Sequence, residues 1–178
     1  MPHKKGDPMD MQQTFRTQSP QIAATSETAE MALIMRLSGE AFGLPVPMVN
    51  EIIDPIQITR VANASAFAPG LINVRGAVVP LLDLRHRLRM APAAPGATAR
   101  IVVVETTIKD TPTRLAFLAD AVEEVIDVEL GKLEPVPKLG APWPDTYVLG
   151  VLRHTKGLVV LLTASTLFQP EPSPTANA

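Results

Sequence analysis

The chain has 178 residues, of which 46% are hydrophobic, so it is long and apolar enough to bury a sizeable core. Its formal charge of −2 and its 4% aromatic content lack the basic field and stacking rings of most nucleic-acid-binding proteins, so no nucleic-acid partner is expected. The sequence contains no cysteine, which excludes disulfides, thiolate nucleophiles and cysteine metal sites.

The two ends of the chain differ in composition from its middle. Residues 1–29 and 170–178 are polar and have no sustained apolar period, so we expect flexible tails around a domain at 30–169. No early apolar run resembles a secretory signal, and no segment approaches the ~20 apolar residues of a membrane helix. We therefore expect a soluble protein without direct membrane insertion.

Short apolar runs separated by Pro, Gly, Asn and Asp fill the middle of the chain. The first are "MALIMRL" at 31–37 and "AFGLPV" at 41–46, and the last are "YVLGVLR" at 147–153 and "GLVVLLT" at 157–163. Runs of this length and spacing predict many short strands in barrels or a sandwich, with few and short helices.

Three local features refine this prediction. Gly39, between the first two runs, predicts the tight turn of a hairpin. In "PMVNEII" at 47–53 the apolar residues recur at helical offsets after a proline, which predicts one or two helical turns. Pro80 cannot donate to a sheet ladder, so its strand is expected at an edge or bulged at that point.

Two proline-rich segments predict loops. "APAAPGATA" at 91–99 has no period and separates an earlier from a later group of runs, so it predicts a surface loop between subdomains. The stretch 133–146 contains four prolines, which exclude a helix or a central strand and predict an extended ordered loop.

The search for reactive groups is mostly negative. His3, His86 and His154 are far apart in sequence, and there is no nucleophile-elbow, phosphate-loop or dinucleotide-binding motif. Acidic residues crowd 120–129 but lack the alternating ligands and the glycine of a calcium loop, so they predict the solvated face of a strand. No catalytic residue, cofactor or metal site is predicted.

The segment "GLINVRGAVVPLLDLRHRL" at 70–88 has an arginine, Arg75, among apolar residues. An isolated guanidinium is costly to bury, so Arg75 is either paired inside or displayed outside for a partner. Its neighbours Asn73 and Gly76 are turn formers, which favours a strand end with the guanidinium reaching solvent or a partner. Asp83 is expected to cap the short turn "LRHRL".

This segment resembles the signature of the CheW family of chemotaxis adaptors. The family form is Gly-hydrophobic-x-Asn-Leu-Arg-Gly, followed by hydrophobic-Pro-hydrophobic-hydrophobic-Asp-Leu. "MVNEII" at 48–53, "RIVVVE" at 100–105 and "LADAVEEVIDV" at 118–128 are similar to further family segments, in the same order. The resemblance covers about residues 31–168.

The resemblance implies an all-β fold of two intertwined five-stranded SH3-like barrels with a few short helical turns. It also implies a non-catalytic adaptor without cofactors, cytoplasmic and recruited to membrane-associated chemoreceptor arrays. Such adaptors link methyl-accepting chemoreceptors to the histidine kinase CheA. They bind the receptor's cytoplasmic tip in a groove between the barrels, and the kinase's regulatory domain through barrel ends.

The resemblance also assigns site residues. The implied receptor groove consists of Val49 and Glu51 from a first helical turn, with Gly70, Leu71, Arg75, Val122 and Val125. The implied structural residues of the motif are Asn73, Gly76, Pro80 and Asp83. Two alternatives stay open at this point: the apolar members are simply core residues, and Glu51 and Arg75 pair with each other to hold the fold.

Two other functions are compatible with the sequence. The first is a homologous adaptor of another chemosensory system, such as one for surface motility. The second is a small β-barrel enzyme or ligand-binding protein, which requires a polar-lined pocket with perturbed ionisable groups.

Overall fold

The computed structural model describes residues 29–138 and 140–170. Apart from their innermost residues, Ala29 and Pro170, the expected tails lie outside the described residues. Within the described part the strands in chain order are β1 (Ala29–Leu37), β2 (Glu40–Pro45), β3 (Val49–Ile53), β4 (Thr59–Arg60), β5 (Gly70–Val74), β6 (Ala77–Leu82), β7 (Arg100–Ile108), β8 (Thr111–Ala119), β9 (Ala121–Glu129), β10 (Val148–His154) and β11 (Gly157–Leu162).

The helical elements are short. Among the described residues two are α-helices, α1 (Leu84–Arg87) and α2 (Ala164–Leu167), and three are 3₁₀ helices at Val46–Met48, Leu130–Lys132 and Asp145–Tyr147. None of the helices in the described residues has the length and hydropathy that a membrane crossing requires.

The strands form two sheets. Sheet A has the order β10-β11-β2-β1-β9, and sheet B has the order β3-β7-β8-β6-β5-β4. The pairs β11/β2 and β6/β8 are parallel, and the other neighbours are antiparallel. From β1 onward the chain forms two strands of sheet A, then all of sheet B, and returns to sheet A for β9–β11. The predicted intertwined all-β fold is therefore confirmed, with the two-residue β4 as a sixth strand of sheet B.

The hairpin predicted at Gly39 is present. Leu37 pairs with Glu40 across a two-residue turn, and the turn residues Ser38 and Gly39 have φ angles of 50° and 85°. Positive φ at both positions defines the turn type whose twist matches that of paired strands, and glycine adopts it without steric cost.

The helical prediction for "PMVNEII" is largely wrong. Only Val46–Met48 is helical, as one 3₁₀ turn, and the following residues form β3. The offsets of four residues that indicated a helix also occur in a strand, because side chains that alternate with a period of two again share a face after four residues. Antiparallel pairing with β7 decides between the two.

Pro80 lies in an interior strand, so the expectation of an edge strand is wrong, and its pairing with Leu71 shows no bulge. Hydrogen-bonded and non-hydrogen-bonded residue pairs alternate along an antiparallel pair of strands. Counted from Val74–Ala77, which closes the turn, Leu71–Pro80 is a non-hydrogen-bonded pair, so no N–H of residue 80 is needed toward β5. On the other side β8 pairs only with Leu81 and Leu82. The missing N–H of Pro80 therefore interrupts neither ladder.

In the residues that the structure describes, the apolar side chains form three cores, because alternate residues of a strand face opposite sides of its sheet. In β1, Ala32 and Ile34 belong to a core within sheet A, whereas Leu33, Met35 and Leu37 face the other way. These join a central core shared by both sheets, which includes Phe42, Leu44, Val102, Val104, Leu115, Phe117, Leu162 and Phe168. Sheet B encloses its own core of Ile72, Val74, Val79, Leu81, Ile101, Val103 and Ala116.

The two predicted loops are found. Residues 91–99 contain neither strand nor helix. They connect β6 and α1 to β7, and β6 and β7 both belong to sheet B, so the expectation that this loop lies between subdomains is wrong. The described part of 133–146 has no helix before the 3₁₀ helix at Asp145–Tyr147, but it turns at Lys138 and Gly140 and is not extended throughout. Glu134 exchanges two backbone hydrogen bonds with Val151 on the edge strand β10. The proline-rich loop thus covers one exposed edge of sheet A.

Candidate partner-binding surface

The β5–β6 hairpin presents the centre of the signature segment. Its two-residue turn consists of Arg75 and Gly76, with φ angles of 51° and 87°. Asn73 Oδ1 accepts a hydrogen bond from the Gly76 N–H at 2.8 Å. An Asn side chain that binds the backbone ahead of it and a glycine at positive φ both favour this turn. The local sequence therefore holds Arg75 at the tip of the hairpin.

Arg75 is both paired and displayed. Its Nε donates to Glu51 Oε2 on β3 at 3.0 Å, yet its side chain is 81% exposed, against 18% for Glu51. Because β3 stands at one edge of sheet B and β5 is the fifth strand in order, this contact shows that the sheet curls round on itself. Most of the guanidinium is therefore open to solvent. Because one partner is so exposed, the ion pair contributes only roughly 0–1 kcal/mol.

Gly70 and Leu71, also predicted in the groove, lie at the start of β5. A Cβ at the buried Gly70 would be 2.8 Å from Ile58 Cγ2 and 2.9 Å from the Thr59 carbonyl oxygen. A side chain there would force β4 away from β5, so Gly70 serves the packing of these strands. Leu71 is half-buried and offers part of its side chain to the surface.

The three predicted valines differ in exposure. Val49 and Val122 are half-buried and pack against the central core, whereas Val125 is 44% exposed. Val49 lies on β3 and not in a helical turn, which corrects the expectation. Val122 and Val125 lie on β9, one of the two edge strands of sheet A. The three valines thus divide between an edge strand of sheet B and an edge strand of sheet A.

The acidic stretch 120–129 is balanced by basic partners. Glu123 accepts hydrogen bonds from Arg36 Nε at 2.8 Å and Nη2 at 3.4 Å, and Glu124 accepts one from Lys156 Nζ at 2.8 Å. These hydrogen bonds hold the pKa of both carboxyl groups below the ordinary value and raise the pKa of Lys156. In the described part of the chain no three acidic or histidine side chains are placed to hold a metal ion.

The sequence did not reveal a network around the buried Arg85. The Arg85 side chain is 5% exposed and pairs with the Asp120 carboxylate, and its Nε donates to Ser38 Oγ at 3.2 Å. The second Asp120 oxygen accepts the Ser38 N–H at 2.6 Å. Asp83 Oδ1 accepts the Arg85 N–H at 3.0 Å and begins α1, which is the cap expected from sequence. We call Ser38, Arg85 and Asp120 the inter-sheet network.

Arg87, in the same short helix, is also buried. Its Cζ lies 3.8 Å from the centroid of the Phe67 ring, Nη1 donates to Tyr147 Oη at 3.2 Å, and Nη2 donates to the Gln169 carbonyl. Stacking on an aromatic face and charge-assisted hydrogen bonds offset the desolvation of the guanidinium. Arg87 thereby attaches the segment after α2 to α1.

Comparison with known proteins identifies the two-sheet body. Residues 31–171, which include nearly all of sheet A and the whole of sheet B, match the family model of the CheW-like domain. The chain belongs to the CheW-like domain family. The resemblance noted from the signature segment is thereby confirmed.

Relatives in the CheW family match the chain over most of its length. It is 30% identical over 144 residues to the probable chemotaxis protein CheW of Rhizobium etli, covering 81% of this chain and 90% of that protein. It is 24% identical over 155 residues to the chemotaxis protein CheW of Bacillus subtilis, covering 87% and 97%. The crystal structure of the scaffolding protein TtCheW from Thermoanaerobacter tengcongensis matches with a TM-score of 0.68 at 24% identity, covering 81% of this chain and 90% of that one. This structural match establishes the shared CheW fold.

Proposed function

We propose that this chain is a non-catalytic chemotaxis adaptor that couples methyl-accepting chemoreceptors to the histidine kinase CheA. The observation that carries the proposal is the family match, which spans both sheets and not one isolated motif. The matched relatives named chemotaxis protein CheW support it. In this role the protein works in the cytoplasm and is recruited to membrane-associated receptor arrays.

The receptor's cytoplasmic tip binds, in this proposal, to the residues implied by the resemblance. They are Val49, Glu51, Leu71, Arg75, Val122 and Val125, together with Gly70, which is buried and contributes through the packing of β4 on β5. The display of Arg75 supports this assignment, since an exposed guanidinium forms bidentate hydrogen bonds with a carboxylate of a partner. Glu51 orients the arginine in the free protein, and the exposed Val125 supplies apolar contact.

The kinase's regulatory domain binds, in the same proposal, at a barrel end. Met31 and Leu149 are 51% and 54% exposed, and both line one shallow cavity at an end of the sheet A barrel, beside Pro45 and Leu130. Exposed apolar side chains that share a concave surface favour a protein partner. A separate surface for each partner is what an adaptor requires.

Titration calorimetry tests the proposal directly. The full chain is titrated with a receptor cytoplasmic fragment, then with the CheA regulatory domain, and then with each partner in the presence of the other. We expect both partners to bind and neither to displace the other. Absence of heat with the kinase domain, under conditions in which the receptor fragment binds, would refute coupling; competition between the partners would refute separate surfaces.

A further inference from the structure

The inter-sheet network lies where the two sheets meet. Asp120 is the residue at which the chain crosses from β8 of sheet B to β9 of sheet A. Ser38 lies in the β1–β2 turn of sheet A, and Arg85 lies in α1, directly after β6 of sheet B. The network therefore connects a hairpin turn of sheet A, the short helix that follows a strand of sheet B, and the crossing between the two sheets.

Both carboxylate oxygens, the N–H and the carbonyl oxygen of Asp120 make hydrogen bonds. One carboxylate oxygen binds Arg85, and the other accepts the Ser38 N–H at 2.6 Å. Its own N–H donates to the Arg36 carbonyl at 2.9 Å, and its carbonyl accepts from Thr98 Oγ1 at 2.8 Å. A hydrogen bond requires a defined direction between donor and acceptor, whereas an apolar contact does not. These hydrogen bonds together therefore fix the orientation of Asp120.

The central core shared by the sheets is apolar, and the hydrophobic effect that favours their contact has no preferred direction, whereas hydrogen bonds have one. We infer that the inter-sheet network sets the angle between the sheets and so positions the receptor-binding residues, which lie on both. Asp120 and Arg85 are then positioning residues: they act through Arg75 on sheet B and Val125 on sheet A. This inference rests on the proposed function.

The proposed kinase-binding surface, at Met31 and Leu149, serves as an internal control for the effect on receptor binding. Met31 and Leu149 both belong to sheet A, so a change in the angle between the sheets leaves them in the same relative positions. Loss of the network therefore weakens receptor binding and spares kinase binding. A general loss of stability would weaken both.

The test uses Asp120→Asn, which keeps the size of the side chain and removes its charge. Since the sequence has no cysteine, Leu158→Cys on sheet A and Val78→Cys on sheet B give a single pair of spin labels at exposed strand positions. We expect one narrow distance distribution in the parent and a shifted or broadened one in the variant. Receptor affinity is expected to fall about tenfold and kinase-domain affinity to change less than about twofold, in the range of residues that couple without touching the ligand.

Two further variants complete the design. Glu134→Gln removes the charge and one of the two acceptors of the bidentate pair with Arg153, at 2.6 and 3.1 Å, on the β10 side of sheet A alone. Spin-label distances and both affinities should not change. Ser38→Gly removes only the hydroxyl that accepts from Arg85 and suits the positive φ of 50°. Ser38→Gly should broaden the spin-label distance distribution and weaken receptor binding about threefold. This variant keeps the inference testable even if Asp120→Asn fails to fold.

The outcomes separate the inference from the proposed function. A parent that does not bind the receptor fragment refutes the proposed function, and the spin-label distances then decide the inference alone. Unchanged distances in Asp120→Asn and Ser38→Gly overturn the inference. Equal losses of receptor and kinase affinity overturn it as well, because they indicate destabilisation and not positioning.

Discussion

Reversing the charge of Arg75 separates a displayed guanidinium from a structural one. Arg75→Glu removes the 3.0 Å ion pair with Glu51, which is worth roughly 0.5 kcal/mol with an arginine 81% exposed. The new carboxylate faces Glu51 at similar screening, which adds a repulsion of about the same size. The φ of 51° is equally unfavourable for both side chains. We therefore expect a loss of about 1 kcal/mol in the free energy of unfolding.

Two measurements on the same preparation check this prediction. Urea unfolding gives the change in stability, and a reconstituted assay with receptor and CheA gives receptor-dependent kinase activation, which we expect to be abolished. Arg114→Glu is the matched control, because Arg114 pairs with Glu105 across β7 and β8 at 3.7 Å and is 42% exposed. The control should lose a similar amount of stability and keep kinase activation.

Either of two results would refute the reasoning. A loss of roughly 3–5 kcal/mol is the signature of an uncompensated buried charge, and it would mean that the Arg75–Glu51 pair holds the fold. A stable variant that still couples receptor to kinase would mean that the arginine is not displayed for the receptor.

Other perturbations have equally defined outcomes. Glu123→Gln should lower stability at neutral pH; the Arg36 hydrogen bond holds the folded-state pKa of Glu123 below 4.5, so the difference from the parent should vanish as the pH falls through that lowered value. Urea unfolding at pH 7 and about pH 3 checks this, and an equal gap at both would contradict it. Truncation after Pro170 should change the melting temperature little, whereas truncation after residue 167 removes the buried Phe168 and should cost roughly 3–5 kcal/mol. Phe117→Ala, fully buried in the central core, should cost a similar amount in thermal melts, and a loss below about 1 kcal/mol would show that the core closes around the cavity.

Local chemistry explains what the sequence could predict. The turns at Gly39 and Gly76 depend on positive φ, and the cap at Asp83 depends on a hydrogen bond two residues away. Such features are complete within a few residues, so a short segment carries the whole signal. The order of short alternating runs likewise indicated strands before any pairing was known.

Long-range pairing explains what the sequence could not predict. The residues of β3 satisfy a helical and an extended period alike, and only their pairing with β7 selects the strand. Pro80 can occupy an interior strand because β8 begins to pair one residue later. Neither fact is contained in the neighbouring sequence.

The buried arginines show the same limit. Arg85 and its partner Asp120 are 35 residues apart, and Arg87 reaches a carbonyl 82 residues away. In isolation "LRHRL" indicates a solvated basic turn, because charged side chains are rarely buried without partners. The flanking Leu84 and Leu88, both buried, were the available signal that this turn faces inward.

The path of the chain between the sheets has a consequence for its synthesis. Sheet B is made from one continuous segment, 49–119, whereas sheet A needs 29–45 and then 121–162. On the ribosome the β1–β2 hairpin is synthesised before its neighbours β9 and β11. The interval between the end of β2 and the start of β9 is roughly 4–15 s at ~5–20 residues per second. During that time both edges of the hairpin are unpaired, and unpaired strand edges are prone to pair with other chains. A permuted chain that begins at β3 and carries β1–β2 after β11 would make each sheet continuous and remove the wait.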